Sequence, residues 1–354
     1  MSLSSCVTPN YGRAHPCLQA GWIDAPHLQL ELGDFALESG EVIRNFSISF
    51  AVHGDLEDSK KPLAIALCAI GSTHHRLDFL IGSGRALDPA RYRILAIDAI
   101  GNGLTTSPST SQAQPGMRFP RFTIRDMVRS QKMLLEGLGL FEAVDVVGAS
   151  MGGMQALQWA VDYPVSVNHV VALTCMAKTA PWAGVINHAA RQSLLAKLGA
   201  HPRRGDYPAD VWDGWTPIMQ MLAMRTPQQV DFEFQDAADV QRWIENRAVW
   251  WHSQGFDPID WIYQSWAYDM HDVGAGLRFG GDTAAALATI RARTLIVAPT
   301  LDLYNPVGCA AETARHIPDI EFHTIASHWG HLMASASDGE TSNWLNQKIQ
   351  QFLE

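Results

Sequence analysis

The sequence predicts an α/β fold in which a doubly wound, mostly parallel sheet carries a helical insertion. Short, continuous apolar runs alternate with helical patterns along much of the chain, which is typical of strands buried on both faces of a parallel sheet. Between residues 176 and 280 the strand-like runs stop and the periodicity is helical. We therefore expect an α/β core, residues 1–175 and 281–354, and a helical cap, residues 176–280.

Composition excludes several classes of protein. The 354 residues are 47 % hydrophobic and 18 % charged, which excludes a disordered chain. A net charge of −10 disfavours binding to nucleic acid, because the phosphate backbone is itself an anion. No apolar run reaches the roughly 20 residues that cross a bilayer, and the first residues lack the pattern of a signal peptide. We expect neither nucleic acid nor membrane as a partner.

The cysteines indicate a cytoplasmic protein. There are five, an odd number, and no CxxC pair occurs. We therefore expect reduced thiols and no metal site. Cys6 and Cys17 are the pair that could form a bridge in an oxidising compartment.

The strands are predicted in order along the chain. About 25 residues at the start are expected to form an irregular arm. Residues 42–52 mix β-branched and polar side chains, which predicts a strand paired with the segment near 28–32. Six buried strands are predicted at 63–68, 92–97, 143–147, 169–173, 294–298 and 320–325.

Two helices and the cap complete the prediction. An apolar stripe between residues 124 and 138 predicts a helix that begins after Thr123 as N-cap and ends before Gly139. A last helix is predicted at 343–353. The expected cap is rich in tryptophan, which predicts an apolar cavity between cap and core. Its tryptophans are eight of the twelve in the chain: Trp182, Trp212, Trp215, Trp243, Trp250, Trp251, Trp261 and Trp266.

One motif predicts a nucleophile. The sequence GASMGG at 148–153 follows a predicted strand and precedes a predicted helix. A G-x-S-x-G motif in that context is typical of a tight, strained turn that exposes the serine hydroxyl, and its neighbours must be small. Gly148, Gly152 and Gly153 meet that demand. We therefore predict Ser150 as the nucleophile; the alternative is a tight turn with an incidental serine.

A serine nucleophile needs a base and an acid that orients the base. In this type of fold they follow in the order Ser, acid, His. Asp302 comes just after the strand at 294–298 and His331 just after the strand at 320–325. Both lie at strand carboxyl ends, where such sheets carry their sites. We predict Asp302 as the acid and His331 as the base.

Several histidines and one carboxylate leave alternatives open. His328 could be the base instead, and His328 with His331 could be read as a metal pair, but no neighbouring cysteine or carboxylate completes such a site. Asp98 also follows a strand and is expected to shape the next loop. His74 and His75 are expected in a solvated loop; the alternative is that one of them lines the pocket.

The oxyanion of an acyl-transfer intermediate needs two backbone N–H groups. One is expected from Met151, the residue after the nucleophile, and the other from the loop after the strand at 63–68. In that loop Ile70 is the best candidate.

With these residues in place, the chain resembles an α/β-hydrolase of the homoserine O-acetyltransferase-like family. The specific stretches are LIGSGRALDPARY at 80–92, FTIRDMVRSQKMLLEGLG at 122–139 and VVGASMGGMQALQWAVDYP at 146–164. Looser matches are NHAARQ at 187–192, FDPIDWIYQSWAYDM at 256–270, TLDLYNP at 300–306 and the Gly330-His331 turn. The resemblance implies the same triad, Ser150, Asp302 and His331, and a homodimer.

The departures from that family indicate its hydrolase-like branch. Cys68 stands where the acetyltransferases carry a histidine, and Leu332 stands where an aspartate usually follows the catalytic histidine and holds the substrate's amino group. Arg191, in NHAARQ, matches an arginine that could bind a carboxylate. The loop at 97–109 also looks more like the hydrolases.

Three functions are weighed on these observations. The main prediction is a serine hydrolase of small esters or related acyl compounds, acting through an acyl-enzyme without a cofactor. The alternative is an O-acetyltransferase that acts on homoserine or a similar alcohol, with acetyl-CoA as co-substrate. A third possibility, a non-catalytic binding scaffold, is disfavoured by the intact order of serine, aspartate and histidine.

Overall fold

The sheet forms the centre of the protein. In this computed structural model, residues 7–9, 15–199, 206–337 and 339–354 are described, and they form one nine-stranded sheet in the order β1-β2-β3-β5-β4-β6-β7-β8-β9. The strands are Val7–Pro9 (β1), His27–Ala36 (β2), Val42–His53 (β3), Leu63–Leu67 (β4), Arg93–Ile97 (β5), Val144–Ala149 (β6), Val167–Leu173 (β7), Arg293–Pro299 (β8) and Ile320–Ile325 (β9).

Strand directions confirm the predicted fold class. The six strands β4 to β9 pair in parallel, while β1, β2 and β3 add an antiparallel edge that joins β5. The prediction for the first residues is wrong in one respect, because Val7–Pro9 pairs with β2 instead of being irregular. Cys6 lies outside the described residues.

The helices lie on both faces of the sheet and above its carboxyl edge. They are Ile124–Gly137 (α1), Met151–Asp162 (α2), Pro181–Leu195 (α3), Pro227–Glu233 (α4), Ala237–Ser253 (α5), Pro258–Asp269 (α6), Thr283–Leu287 (α7), Val307–Arg315 (α8) and Gly339–Leu353 (α9). A π-helical segment covers Pro217–Ala223, and 3₁₀ helices cover His74–Leu80, Gly116–Arg118 and Gly330–Met333. Within the described residues, no helix is both long and apolar enough to span a membrane.

Alternate side chains of the central strands pack into two apolar cores. Val146 of β6 lies in the larger core, which includes α1 and α2. Val147 lies in the smaller one, which includes α9. Since successive side chains of a strand point to opposite faces, a continuous apolar run is what this two-sided burial requires.

The helices α3 to α7 lie between β7 and β8, and the described part of this stretch adds no strand to the sheet. Helix α6 reaches the loops at the carboxyl edge: Asp260 accepts from the Ser109 N–H, and the Tyr263 hydroxyl donates to the Phe119 carbonyl. The division into a core and a cap at 176–280 stays a prediction, and these contacts are consistent with it.

Candidate active site

Ser150 sits on a strained turn between β6 and α2. Its backbone has φ 56° and ψ −124°, a conformation that costs a non-glycine residue about 1–3 kcal/mol and is found at functional sites. A Cβ on Gly148 would lie 2.0 Å from the Gly152 carbonyl oxygen, and one on Gly152 would lie 2.4 Å from the Leu67 carbonyl oxygen. Only glycine fits these two positions, as the motif predicts.

The three predicted triad residues meet at the carboxyl edge of the sheet. His331 Nε2 lies 2.8 Å from Ser150 Oγ, and His331 Nδ1 lies 2.8 Å from Asp302 Oδ2. Their exposed fractions are 2 % for Ser150 and 4 % each for Asp302 and His331. Because a carboxylate only accepts, Nδ1 carries the proton and Nε2 is free to accept the serine proton.

Asp302 is held in place by backbone donors. Its Oδ1 accepts from the N–H groups of Tyr304 at 2.9 Å and Asn305 at 2.8 Å. The Asn305 side chain in turn donates to the Thr174 carbonyl at 2.7 Å. One carboxylate oxygen is therefore fixed by the loop after β8, and the other faces the imidazole.

Two buried tyrosines support the histidine, and neither was predicted. The Tyr304 ring packs edge-on against His331 at 5.1 Å and stacks on Tyr268 at 5.3 Å. The Tyr268 hydroxyl donates to Asn305 Oδ1 at 2.6 Å. Burial raises the pKa of Tyr268 well above its usual value, so this hydroxyl remains a donor. Both residues stand in quoted motifs, which was the available signal.

The predicted oxyanion donors have N–H groups without a partner among the described residues. Met151 is the first residue of α2, and its N–H lies outside the helical hydrogen bonds. In the loop after β4, the Gly71 N–H donates to Gln264 Oε1 at 2.9 Å and the Ala69 N–H to Ser72 Oγ at 2.8 Å. Ile70, the predicted second donor, lies between these two residues and lines the cavity. The oxyanion role of both residues stays a prediction.

A cavity of about 370 Å³ contains the site. Ser150, His331 and Leu332 line it, together with Trp22 and the 69–73 loop. Four tryptophans of the α3–α7 region form much of its apolar wall: Trp215, Trp250, Trp251 and Trp261. The expected tryptophan-lined cavity is thus present, and its volume is at the lower end of ligand pockets.

Arg191 is placed away from this cavity. Its guanidinium donates to Asp269 Oδ2 and to Ser265 Oγ, each at 2.8 Å, and Arg191 is not one of the cavity-lining residues. Asp269 also accepts from the Asn187 amide at 2.8 Å. The structure therefore does not bring Arg191 to the triad, and its predicted substrate-binding role has no geometric support.

The alternatives for the base and for a metal pair do not fit the geometry. His328 is exposed, and its ring lies tilted to Phe232 with the centroids 5.9 Å apart, whereas His331 reaches the serine. Both ring nitrogens of His331 are used by hydrogen bonds to Ser150 and Asp302. His328 and His331 therefore do not form a metal site in the described part of the chain.

The expectation for His74 and His75 is wrong. Both are buried, with exposed fractions of 3 % and 5 %, because they begin the 3₁₀ helix after β4 and pair with acidic groups. His74 Nδ1 lies 3.0 Å from Asp98 Oδ2. Asp98 does shape the next loop as predicted, because its Oδ1 accepts from Asn102 Nδ2 at 2.8 Å.

The described cysteines carry free thiols. Cys17 is exposed, whereas Cys68 and Cys175 are buried. The Cys68 sulfur accepts from the Ala99 N–H at 3.2 Å, and burial raises its pKa far above the ordinary value. Cys68 is therefore a neutral packing group directly before the 69–73 loop.

Comparison with known proteins agrees with the predicted fold. The family model for the α/β-hydrolase fold matches residues 72–200. A homoserine O-acetyltransferase of Pelobacter propionicus is 29 % identical, covering 83 % of this chain and 88 % of that protein. An ethyl acetate hydrolase of Pseudomonas veronii is 28 % identical, covering 93 % of this chain and 95 % of that protein. The crystal structure of an acetylester hydrolase from Corynebacterium glutamicum superposes with a TM-score of 0.83 at 25 % identity, covering 93 % of this chain and 96 % of that one.

These matches confirm the α/β-hydrolase fold and the predicted resemblance to homoserine O-acetyltransferases and esterases. Neither kind of relative is clearly the better match in sequence.

Proposed function

We propose that this α/β-hydrolase-fold protein, a relative of both esterases and homoserine O-acetyltransferases, is a serine esterase that hydrolyses small esters through an acyl-enzyme. The observation that carries the proposal is the hydrogen-bonded chain Asp302, His331 and Ser150, open to a small apolar cavity.

The reaction follows from the geometry of that chain. Ser150 Oγ attacks the ester carbonyl while His331 Nε2 takes its proton. His331 returns this proton to the departing alcohol, so the acyl group is left on Ser150. A water molecule then gives a proton to His331 and attacks the acyl carbonyl. The acid leaves, and Ser150 regains its proton from His331.

Stabilisation of the two tetrahedral intermediates is assigned to backbone donors. The N–H groups of Met151 and Ile70 supply the oxyanion hole in this proposal, and the N-terminus of α2 adds its dipole. Removing one such donor typically costs 10²–10³ in kcat. Gln264 positions the Ile70 loop, because it accepts from the Gly71 N–H and donates to the Ile100 carbonyl at 3.1 Å.

Hydrolysis is favoured over transfer to an amino-acid alcohol by two features. Leu332 lines the cavity directly after His331, where the acetyltransferases that the chain resembles carry an aspartate. An ammonium group facing leucine would lose its charged partner, which costs about 1–3 kcal/mol. Arg191 is engaged by Asp269 and so is not available to a substrate carboxylate. Both expected anchors for homoserine are missing from the cavity.

Transient acetylation of the enzyme tests hydrolysis against transfer. The enzyme is supplied with p-nitrophenyl acetate or acetyl-CoA, and acetate and O-acetylhomoserine are measured with and without homoserine. We expect acetate to form at the same rate as nitrophenol is released, and we expect homoserine not to accelerate deacylation. Formation of O-acetylhomoserine, with faster deacylation, would establish the transferase instead. The Ser150→Ala variant must be inactive in both assays. Full activity would show that Ser150 is not the nucleophile and would leave binding, without catalysis, as the function of this site.

The rest of the proposal concerns the setting of the enzyme. We propose that it acts in the cytoplasm, in keeping with free thiols at the described cysteines, and that it needs no cofactor for hydrolysis. We also propose a homodimer, as the resemblance implies. Exposed apolar side chains such as Trp182, Val185 and Leu222 give the α3–α7 region a surface suited to such contacts. Sedimentation equilibrium distinguishes a dimer from a monomer.

A further inference from the structure

A cluster of histidines lies beside the active-site cavity and has no part in the proposed reaction. His74 and His75 begin the 3₁₀ helix after β4, and His15 approaches them from the segment before β2. The ring centroids are 4.2 Å apart for His74 and His75, 5.2 Å for His15 and His74, and 5.0 Å for His15 and His75. We call these three residues the three-histidine cluster.

Carboxylates hold two of the rings by their Nδ1 atoms. His75 Nδ1 lies 2.7 Å from Asp78 Oδ2, and His74 Nδ1 lies 3.0 Å from Asp98 Oδ2. Both aspartates are buried. A carboxylate on Nδ1 fixes the tautomer with the proton on that atom, so the lone pair is presented at Nε2. This is the arrangement that orients histidine ligands at metal sites.

The third ring is oriented in the same way by a carbonyl. His15 Nδ1 lies 2.6 Å from the Pro16 oxygen, which only accepts. The Nε2 atoms of His15 and His75 then face each other at 3.2 Å. With both protons on Nδ1, two lone pairs meet at this distance and repel each other unless a proton or a metal ion lies between them.

The spacing agrees with that of ligands on one metal ion. Two imidazole nitrogens bound to tetrahedral zinc at about 2.0–2.1 Å are about 3.3 Å apart, close to the distance between His15 and His75. One ring nitrogen from each of the three histidines lies within 4.8 Å of the other two, and binding of one ion requires side-chain rotations that bring all three Nε2 atoms to it. His75 lines the cavity, so an ion bound to this ring would lie next to the cavity.

A neighbouring group of similar composition is explained without a metal. His27, His74 and Asp98 also lie close together. However, Asp98 Oδ2 accepts from Ser49 Oγ at 2.7 Å, and Asp98 Oδ1 accepts from the His74 N–H at 2.8 Å. Hydrogen bonds already use this carboxylate fully, so it acts as an anchor for His74.

We propose that His15, His74 and His75 bind a divalent transition-metal ion of the zinc type through their Nε2 atoms, with Asp78 and Asp98 as the supporting carboxylates. Three neutral imidazoles suit zinc, nickel and copper rather than magnesium or calcium. The ion fastens the segment before β2 to the loop after β4. Trp22 of that segment stacks on His75 at 4.2 Å and lines the cavity, so the metal stabilises one cavity wall and takes no part in the bond-breaking steps.

Metal titration of chelator-treated protein tests the site. Zn²⁺ is followed by calorimetry and Co²⁺ by its visible absorption, which distinguishes a tetrahedral site from loose surface binding. We expect one tight ion per chain and a melting temperature that rises by a few degrees at a hundredfold excess of Zn²⁺ over its Kd. The His15→Ala variant should lose at least tenfold in affinity, and the control His188→Ala, an exposed histidine on α3, should bind as the wild type does.

The outcomes separate this site from surface binding and from the esterase proposal. Asp78→Asn keeps all three ligands and should bind about 10–100-fold more weakly. Ser150→Ala should bind Zn²⁺ normally, so failure of the esterase proposal leaves this one intact. Circular dichroism and melting of each metal-free variant report whether it is folded. No tight binding to the wild type, or equal binding by His15→Ala, would overturn the proposal.

Discussion

Replacement of Asp302 by asparagine should abolish most of the activity and leave the fold intact. Oδ1 of this residue accepts from the Tyr304 and Asn305 N–H groups, and an amide oxygen makes the same two bonds. The amide nitrogen then takes the position of Oδ2, 2.8 Å from His331 Nδ1. Because that nitrogen donates, Nδ1 must accept and the ring proton moves to Nε2, where it can no longer receive the serine proton.

The expected loss of kcat follows from the loss of the general base, whereas the expected loss of stability follows from the loss of one hydrogen bond. A charge-assisted hydrogen bond contributes about 1.5–3 kcal/mol to stability, which sets the expected loss of folding free energy. Trapping the wrong tautomer costs about 10⁴ in kcat in a triad of this geometry, equal to about 5.4 kcal/mol of transition-state stabilisation. KM should change little, since Asp302 does not line the cavity.

Initial rates of p-nitrophenyl acetate hydrolysis, together with thermal melts, check this expectation. The exposed Asp319 provides the matched control, and Asp319→Asn should retain wild-type rates. A folded Asp302→Asn enzyme with kcat within tenfold of the wild type would refute the assigned role of this carboxylate.

Three further predictions concern the serine turn, the acceptor of the acyl group and the cysteine thiols. Gly148→Ala should destabilise the protein by about 1–3 kcal/mol or more in urea unfolding, because the new Cβ would clash with backbone atoms. The control Gly184→Ala, where a Cβ would have no atom within 4 Å, should be neutral or stabilising, and equal stabilities of the two variants would contradict the tight turn. Leu332→Asp should let homoserine accelerate deacylation by about 5- to 150-fold, from about 1–3 kcal/mol of regained pairing. If homoserine still had no effect on deacylation, the role of this position would be contradicted. Burial raises the pKa of Cys175 to about 12. At pH 8 Cys175 should therefore resist a disulfide reagent that labels the exposed Cys17. Equal labelling rates of the two cysteines would contradict the burial of Cys175.

The parallel sheet could be predicted because its strands satisfy a strict physical demand. A strand covered on both faces is apolar at nearly every position, and the run at Leu63–Leu67 shows this directly. The serine turn could also be predicted, since only glycine fits beside it. The acid and base followed from their positions after β8 and β9, which the fold brings to the same edge.

Other features could not be predicted because they depend on partners distant in sequence. His15 and His75 are 60 residues apart, and only the folded chain brings the first of them to the second. Val7–Pro9 is too short to have a pattern of its own and is fixed by pairing with β2. Arg191 is satisfied by Asp269, 78 residues away. The resemblance of the motif identifies Arg191 as a candidate, but it does not show that Asp269 already pairs with this side chain.

The most direct test of the esterase proposal is to locate the residue that becomes covalently modified. A fluorophosphonate probe, which reacts with activated serine hydroxyls, should add once per chain, and peptide mass spectrometry should find the adduct on Ser150. His331→Ala should slow this labelling by several orders of magnitude, because the Ser150 hydroxyl is no longer activated by a general base. An unlabelled wild-type protein, or an adduct at another serine, would contradict the account.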